Sequence, residues 1–206
     1  MHLADGVLPI PTLVGGFAIS GAWIAASART LAAEDMPRIG VMSAAFFVAS
    51  LLPIPLGPVS VHFLLHGLVG IILGGRAFIA ISLGLALQAL QFGHGGVASL
   101  GVNACLMGIP ACLVGWAYQG LAREKSARFR AGLAALLTAF AVALSAILAA
   151  LALLSGGESF REVAAALLIA HIPIMAIEAA VAASVVSFLQ KVKPEMLGCP
   201  LESAGS

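Results

Sequence analysis

Charged side chains are scarce in this chain. Its 206 residues include only 9 acidic and 10 basic residues, and 61% of the sequence is hydrophobic. A soluble domain has about a quarter of its residues charged, so this composition indicates an integral membrane protein. The length fits a single domain. The basic residues are scattered rather than grouped, which excludes nucleic-acid binding as the function.

Several motifs are also missing. Cys105, Cys112 and Cys199 lack the spacing of a metal site, so they are interpreted as small buried hydrophobic residues. No GxxxxGK[ST] loop is present, so we expect any ATP hydrolysis to come from a partner subunit. The HFLLH stretch has Phe63 where a zinc protease needs its glutamate, and no other catalytic base is evident. The sequence therefore predicts a protein that is not an enzyme.

Charge-free windows place the helices. Windows 6–28, 39–75, 77–122 and 131–157 lack Asp, Glu, Lys and Arg, and window 163–190 contains only Glu178. Breaks at 53–58 and 92–96, rich in Pro and Gly, divide the long windows. We predict an all-α integral membrane protein, a compact bundle of about seven transmembrane helices. They fall near 9–30, 38–53, 60–75, 77–92, 96–120, 130–154 and 162–190.

Basic residues orient this bundle. If the chain crosses the membrane seven times, nine of the ten basic residues lie on one side of the membrane and only Arg161 lies on the other. The nine are Arg29, Arg38, Arg76, Arg123, Lys125, Arg128, Arg130, Lys191 and Lys193. The positive-inside rule then predicts an outside N-terminus and a cytoplasmic C-terminus in a multi-pass protein of the inner (plasma) membrane. We expect one transmembrane domain over 1–193, with an N-terminal loop at 1–8 and a short flexible tail at 194–206.

Histidines gather toward the predicted outer side. His2, His62, His66 and His94 lie near outer helix ends, and His171 lies about 13 Å into the last helix at 1.5 Å per residue. No signal peptide is evident, so we expect Met1 to be retained. The amine of Met1 with the amide and imidazole nitrogens of His2 forms a chelating unit that suits Ni(II), Cu(II) and Co(II). An outer capture site for a metal cation is therefore indicated.

Other polar residues allow two interpretations each. His62 and His66, four apart, are expected on one helical face, one as ligand and the other as a supporting residue or extra ligand. Asn103 is expected either to hydrogen-bond the N-terminal loop or to line the site. Glu178 is expected either to bind neighbouring helix ends or to belong to a release path for the cation, together with His171.

Three stretches resemble a known family. The opening Met1–Pro9 (MHLADGVLP), the stretch 53–62 (PIPLGPVSVH) and the region 88–103, with HGG at 94–96 and LGVN at 100–103, match its motifs in order. The chain thus resembles the CbiM/NikM family, the substrate-binding membrane components of energy-coupling-factor (ECF) cobalt and nickel transporters.

The resemblance implies a ligand set of Met1, His2 and His62, with Co²⁺ or Ni²⁺ as transported substrate and no organic cofactor. It also implies partners: a transmembrane coupling (T) protein, a cytoplasmic ATPase and a small accessory membrane protein. Asp5 is expected to support the N-terminal loop, and His66, His94 and Asn103 to surround the site. Val7 departs from the family's aromatic residue, and the choice among cobalt, nickel and zinc stays open.

The expected function is capture of the metal at the outer face and its release to the cytoplasm by an ATP-driven importer. One alternative is a stand-alone secondary transporter that couples cation movement to protons through His171 and Glu178. Another is a membrane scaffold without transport, which would tolerate loss of His2 and His62.

Overall fold

The computed structural model describes residues 3–56 and 59–198, and the side chains of these residues outside 53–61. This part of the chain contains seven α-helices: α1 (Ile10–Ala28), α2 (Met36–Ser50), α3 (His66–Leu73), α4 (Ala77–Phe92), α5 (Leu100–Leu121), α6 (Ala127–Leu154) and α7 (Arg161–Val192). Short 3₁₀ turns lie at Ala33–Asp35, Gly74–Arg76, Glu158–Phe160 and Pro194–Leu197.

A β-hairpin joins α2 and α3 in the otherwise all-helical architecture. Strand β1 (Pro53–Leu56) pairs antiparallel with β2 (Val59–His62), and Pro53 lies opposite His62. The prolines of β1 cannot continue α2 because they lack a backbone N–H group. A strand with one partner tolerates them, since the N–H groups on its free edge have no strand to bond to. Strand β1 thus occupies the first part of the Pro- and Gly-rich break predicted at 53–58.

Helix α3 is correspondingly shorter than predicted. Leu65 adopts a left-handed conformation with φ of 46°, and the helix begins only at His66. The prediction of a helix from residue 60 is therefore wrong. His62 and His66 do not share a helical face, because one ends a strand and the other begins a helix.

Among the described residues, five segments are long and apolar enough to cross a membrane. They are Ile10–Ala28, His66–Phe92, Leu100–Leu121, Ala127–Leu154 and Glu158–Val192. The 15 residues of α2 fall short of a full span, and the 8 residues of α3 reach span length only together with α4. Seven spanning helices are thus not confirmed, although the described residues hold seven α-helices.

The histidine end of the bundle comprises the N-terminal segment (residues 3–8), the hairpin, and the loops 93–99 and 155–160. Asp5 bonds to Ser99 across two of these regions, and the His62 and His94 rings have centroids 5.8 Å apart. The hydroxyls of Thr12 and Ser155 lie 3.1 Å apart, which brings the α6–α7 loop to the same end.

The basic end comprises the α1–α2, α3–α4 and α5–α6 connections together with the turn after α7. Arg76 forms a 2.9 Å ion pair with Asp35, and Arg38 donates at 2.8 Å to the Met196 carbonyl. Gln190 donates at 3.3 Å to the Ala127 carbonyl. The chain therefore alternates between two ends, and the basic residues gather at the end opposite the histidines, with Arg161 as the exception.

The beginning of the predicted flexible tail is packed. Residues Pro194–Leu197 form a 3₁₀ turn, Leu197 is only 1% exposed, and Arg38 binds the Met196 carbonyl. An apolar side chain and a hydrogen bond thus dock residues 194–198 on the bundle, and the flexibility of the tail stays a prediction. Residues 199–206 lie outside the described part.

Helix α5 is central and packs against α1, α3, α4 and α6. It approaches α1 closely at Gly16, where a Cβ atom would lie 2.7 Å from the Val102 amide nitrogen. Small residues permit such backbone contact between apolar helices, where no hydrophobic force favours association over lipid. Gly16 therefore sets the position of α1 against the helix that carries Asn103.

We expect Gly16→Ala to destabilise the protein, because the new methyl group overlaps the α5 backbone. Overpacking costs about 1–3 kcal/mol, which outweighs the gain of up to about 1 kcal/mol in helix propensity. Gly15→Ala is the matched control, since a Cβ atom there meets nothing within 4 Å. Thermal unfolding in detergent should show a lower Tm for Gly16→Ala only; equal Tm values would contradict the close α1–α5 contact.

Candidate metal centre

Asn103 holds the backbone of the N-terminal segment. Its Oδ1 accepts from the Leu3 amide at 2.9 Å, and its Nδ2 donates to the Leu3 carbonyl at 3.0 Å. Asn103 is 2% exposed, so both bonds form away from solvent. Each such bond contributes about 0.5–1.5 kcal/mol, and a buried group left unpaired costs more. Asn103 thereby orients the residue that directly follows Met1 and His2.

Leu3 and Leu8 anchor the same segment by apolar packing. They are 5% and 6% exposed and join a cluster formed with α5, α6 and α7. This cluster contains Val102, Leu106, Ala149, Ala150, Leu153 and Ala164. Side-chain burial and the Asn103 hydrogen bonds therefore act on the same short stretch of chain.

Asp5 attaches the segment to the start of α5. Its Oδ1 accepts from the Ser99 amide at 2.8 Å and from the Ser99 hydroxyl at 2.9 Å, and its Oδ2 accepts from the Ala98 amide at 3.2 Å. A carboxylate at a helix N-terminus is favoured by the helix dipole. Asp5 fits the supporting position expected of it beside the N-terminal loop.

The same contacts govern the ionisation of Asp5. Desolvation raises the pKa of the carboxyl group, but hydrogen bonds from Ser99 and Ala98 outweigh it, so the pKa lies below its ordinary value of 3.8. The pKa of Asp5 is lower in the folded chain than in the unfolded chain. Ionised Asp5 therefore stabilises the folded chain fully at a pH above the unfolded pKa. The contribution is lost as the pH falls through the folded pKa.

His62 and His94 lie together at the histidine end. Their ring centroids are 5.8 Å apart, His62 is half-buried at the end of β2, and His94 is exposed in the loop before α5. The Nδ1 atom of His62 is buried and has no hydrogen-bond partner among the described residues. Burial is the main cause that lowers the pKa of His62 below its ordinary value of 6.5. The ring is thus favoured in its neutral form, which is the metal-binding form.

Two predicted ligands, Met1 and His2, lie outside the described residues. Within residues 3–56 and 59–198, no three His, Cys, Asp or Glu side chains are grouped so that they could hold a metal ion. His62 and His94 alone supply two imidazoles. A metal site here needs further donors, and the predicted ligand set draws them from the two residues that precede Leu3.

His66 lies in the core rather than beside His62. It is fully buried at the start of α3, and its Nε2 atom is 2.9 Å from the Ser145 hydroxyl on α6. This bond fixes the ring between two helices. The geometry favours a supporting interaction over an additional ligand, and the role of His66 at a metal site stays a prediction.

The two residues assigned to a release path are also engaged with backbone groups. His171 Nδ1 donates to the Leu167 carbonyl at 2.6 Å within α7. Glu178 accepts from the amides of Leu64 and Leu65, at 2.6 and 3.1 Å to Oε1 and at 3.0 Å from Leu65 to Oε2. The structure thus places Glu178 at a neighbouring helix end, the first of the two interpretations offered by the sequence.

Sequence reasoning did not identify Ser99, Ser145 or the backbone of Leu64 and Leu65 as partners of these residues. Each of these contacts joins residues that lie 79 to 114 positions apart in the sequence. A single serine or backbone amide belongs to no recognisable motif, so the sequence gives no signal for these contacts. Cys112 is buried, as predicted, whereas Cys105 is only half-buried; both are free thiols, and they donate to the carbonyls of Gly75 and Gly16, respectively. Cys199 lies outside the described residues.

Comparison with known proteins identifies the family. The sequence pattern of CbiM, described as the cobalt uptake substrate-specific transmembrane region, matches residues 2–196. The chain belongs to the CbiM family. This confirms the resemblance drawn from the three motifs, and it makes the chain a transmembrane component of cobalt or nickel transport.

Relatives of this CbiM family member share nearly its whole length. A putative metal transport protein of Haemophilus influenzae is 34% identical over 200 residues, covering 96% of this chain and 97% of that protein. A putative fused nickel transport protein NikMN of Archaeoglobus fulgidus is 29% identical over 209 residues, covering 96% of this chain and 68% of that protein.

The fold is shared with a solved structure. The crystal structure of a truncated transition metal transporter superposes with a TM-score of 0.77 at 23% identity, covering 93% of this chain and 99% of that one. At this identity the likeness concerns the helical architecture of the CbiM family member and not its individual site residues.

We expect Gly96→Ala to release the N-terminal segment. Gly96 has φ of +76°, and a Cβ atom there would overlap the Asp5 carboxyl group. Gly93→Ala is the matched control, because Gly93 has φ of +66° but nothing within 4 Å. Both variants carry left-handed strain of about 1–2 kcal/mol, but only Gly96→Ala displaces Asp5.

Hydrogen–deuterium exchange of residues 3–8 in detergent is the measurement. It should accelerate in Gly96→Ala and stay at the parental rate in Gly93→Ala. Equal rates in the two variants would show that the Asp5 contact does not hold the segment.

Proposed function

We propose that this chain is the substrate-capture subunit of an ATP-driven, ECF-type importer for Co²⁺ or Ni²⁺. The ion binds at the histidine end, which faces outward, and is released to the cytoplasm from the basic end. The family description names cobalt uptake, and the Archaeoglobus relative is named for nickel. The opposite placement of basic residues and histidines supports this orientation through the positive-inside rule.

The observation that carries this proposal is the pair of hydrogen bonds between Asn103 and Leu3. Two residues span at most about 7 Å of extended chain, so the Met1 amine and the His2 nitrogens stay close to the buried Leu3. Leu3, Asp5 and the loop with His94 meet at one end of α5, and His94 neighbours His62. We therefore propose Met1, His2 and His62 as the ligands of the ion, with His94 at the rim.

Partner subunits supply the energy in this proposal. The sequence contains no nucleotide-binding loop, and the family resemblance implies a coupling protein, an ATPase and a small accessory membrane protein. A stand-alone carrier is less well supported, because His171 and Glu178 are hydrogen-bonded to backbone groups rather than to each other.

The ligand set is tested by the metal content of the purified protein. The parent, with its native Met1, should bind one Co²⁺ or Ni²⁺ per chain as measured by mass spectrometry of the metals. His2→Ala, His62→Ala and a version with one residue added before Met1 should each bind the ion more weakly and lose it during purification, because each removes or displaces a nitrogen donor.

A version with one residue added after Ser206 is the matched control and should keep the metal. Retention of the ion after extension before Met1 would contradict the terminal chelate and redirect the search to His62, His66, His94 and His171.

Asn103→Ala should weaken metal affinity by about 10–100-fold, the range found when a residue that orients a ligand is removed. The alanine leaves both polar groups of Leu3 unpaired, so the N-terminal donors lose their fixed position. Competition titration with a chromogenic chelator measures the change. Ser184→Ala, which removes an exposed hydroxyl bonded only within α7, should keep parental affinity; an equal affinity in Asn103→Ala would contradict the role of Leu3.

Reconstitution tests the energy source. The chain alone in proteoliposomes should bind the ion without concentrating it, and addition of the coupling protein and ATPase with ATP should produce uptake. Uptake by the chain alone, driven by a proton gradient, would instead establish the secondary transporter.

A further inference from the structure

Glu178 is the single carboxylate in the apolar window 163–190, and its position in the fold is specific. It lies in α7, is 1% exposed, and uses both oxygens to accept hydrogen bonds from two consecutive backbone amides, those of Leu64 and Leu65. A buried carboxylate is costly without such donors, and bonds to a charged acceptor are stronger than neutral ones. We call this arrangement the Glu178 clamp.

The clamp holds a conformation that the chain does not favour by itself. Leu65 has φ of 46°, which is strained for a residue with a branched side chain, and its carbonyl accepts from Val69 in the first turn of α3. The amides of Leu64 and Leu65 precede the helix and have no partner within it. The carboxylate satisfies both amides and stabilises the turn between β2 and α3.

His62 is joined to this turn through one residue. Phe63 alone separates it from Leu64, so movement of the Leu64 amide changes the position of the His62 backbone. On its other side, His62 ends β2 and lies opposite Pro53 in the hairpin. A two-stranded hairpin is marginally stable alone, so the attachment of His62 to the long helices depends on the clamp and on the buried Leu64 side chain.

We propose that Glu178 is a positioning residue for His62. By fixing the Leu64–Leu65 turn, it sets the place of the His62 imidazole relative to the N-terminal segment that Asn103 holds. This inference rests on the proposed function, in which His62 binds the ion. It assigns Glu178 to the construction of the metal site instead of the release path.

The side-chain chemistry defines the variants. Glu178→Gln keeps the shape but replaces one acceptor oxygen with an NH₂ group, which cannot accept from a backbone amide. Glu178→Asp keeps the charge and both acceptors but withdraws them by about 1.5 Å, one carbon–carbon bond. Ile174→Ala is the matched structural control, since Ile174 lies one turn earlier on α7, is 1% exposed and contributes only apolar packing.

Affinity for Ni²⁺ and the visible absorption spectrum of the bound ion are measured for each variant and for His62→Ala. We expect Glu178→Gln to weaken affinity at least about tenfold and to shift the spectrum toward that of His62→Ala. Glu178→Asp should lie between Glu178→Gln and the parent. Ile174→Ala should lower Tm but keep the parental affinity and spectrum.

The double variant Glu178→Gln/His62→Ala decides whether the effect passes through His62. If it does, Glu178→Gln adds no further loss in the His62→Ala background. Parental affinity and spectrum in Glu178→Gln and Glu178→Asp, or full additivity with His62→Ala, would overturn the inference while leaving the ligand set intact. Parental affinity in His62→Ala would overturn the ligand set itself, and the inference with it.

Discussion

Asn103 bonds to both the amide and the carbonyl of Leu3, and the arrangement of the histidine end depends on this contact. A peptide group inside an apolar bundle needs a partner for each polar atom. One asparagine supplies both a donor and an acceptor, as a neighbouring strand would. The N-terminal segment can therefore enter the bundle in a non-helical conformation while its apolar side chains Leu3 and Leu8 are buried.

Helix α5 connects this contact to the rest of the fold. It carries Asn103, its N-terminal turn binds Asp5, and its backbone meets α1 at Gly16. The hairpin lies at the same end of the bundle, and the Glu178 clamp ties the turn that follows it to α7. The side chains of Asp5, Asn103 and Glu178 thus hold the N-terminal segment and the turn after the hairpin in place. Each of them accepts a hydrogen bond from a backbone N–H group that has no partner in a helix or strand.

The long helices could be predicted from sequence because charged residues and glycines bound them closely, as for α4 and α6. The hairpin could not, since PIPLGP excludes a helix without specifying what replaces it. The start of α3 was missed because the left-handed Leu65 has no glycine to signal it. Asn103 and Asp5 were expected to support the N-terminal segment. Their hydrogen-bond partners could not be predicted, because each bond joins residues 93 to 100 positions apart in the sequence. Glu178 offered two interpretations until its acceptor geometry was seen.

The central claim is that the N-terminal residues and His62 bind the same ion. X-ray absorption spectroscopy of the Ni²⁺-loaded protein tests it directly, because multiple scattering counts imidazole rings on the metal. The account predicts a nitrogen-rich shell with two imidazoles in the parent and one in His62→Ala. An imidazole count that stays the same after this substitution, or a shell containing sulfur, would contradict it.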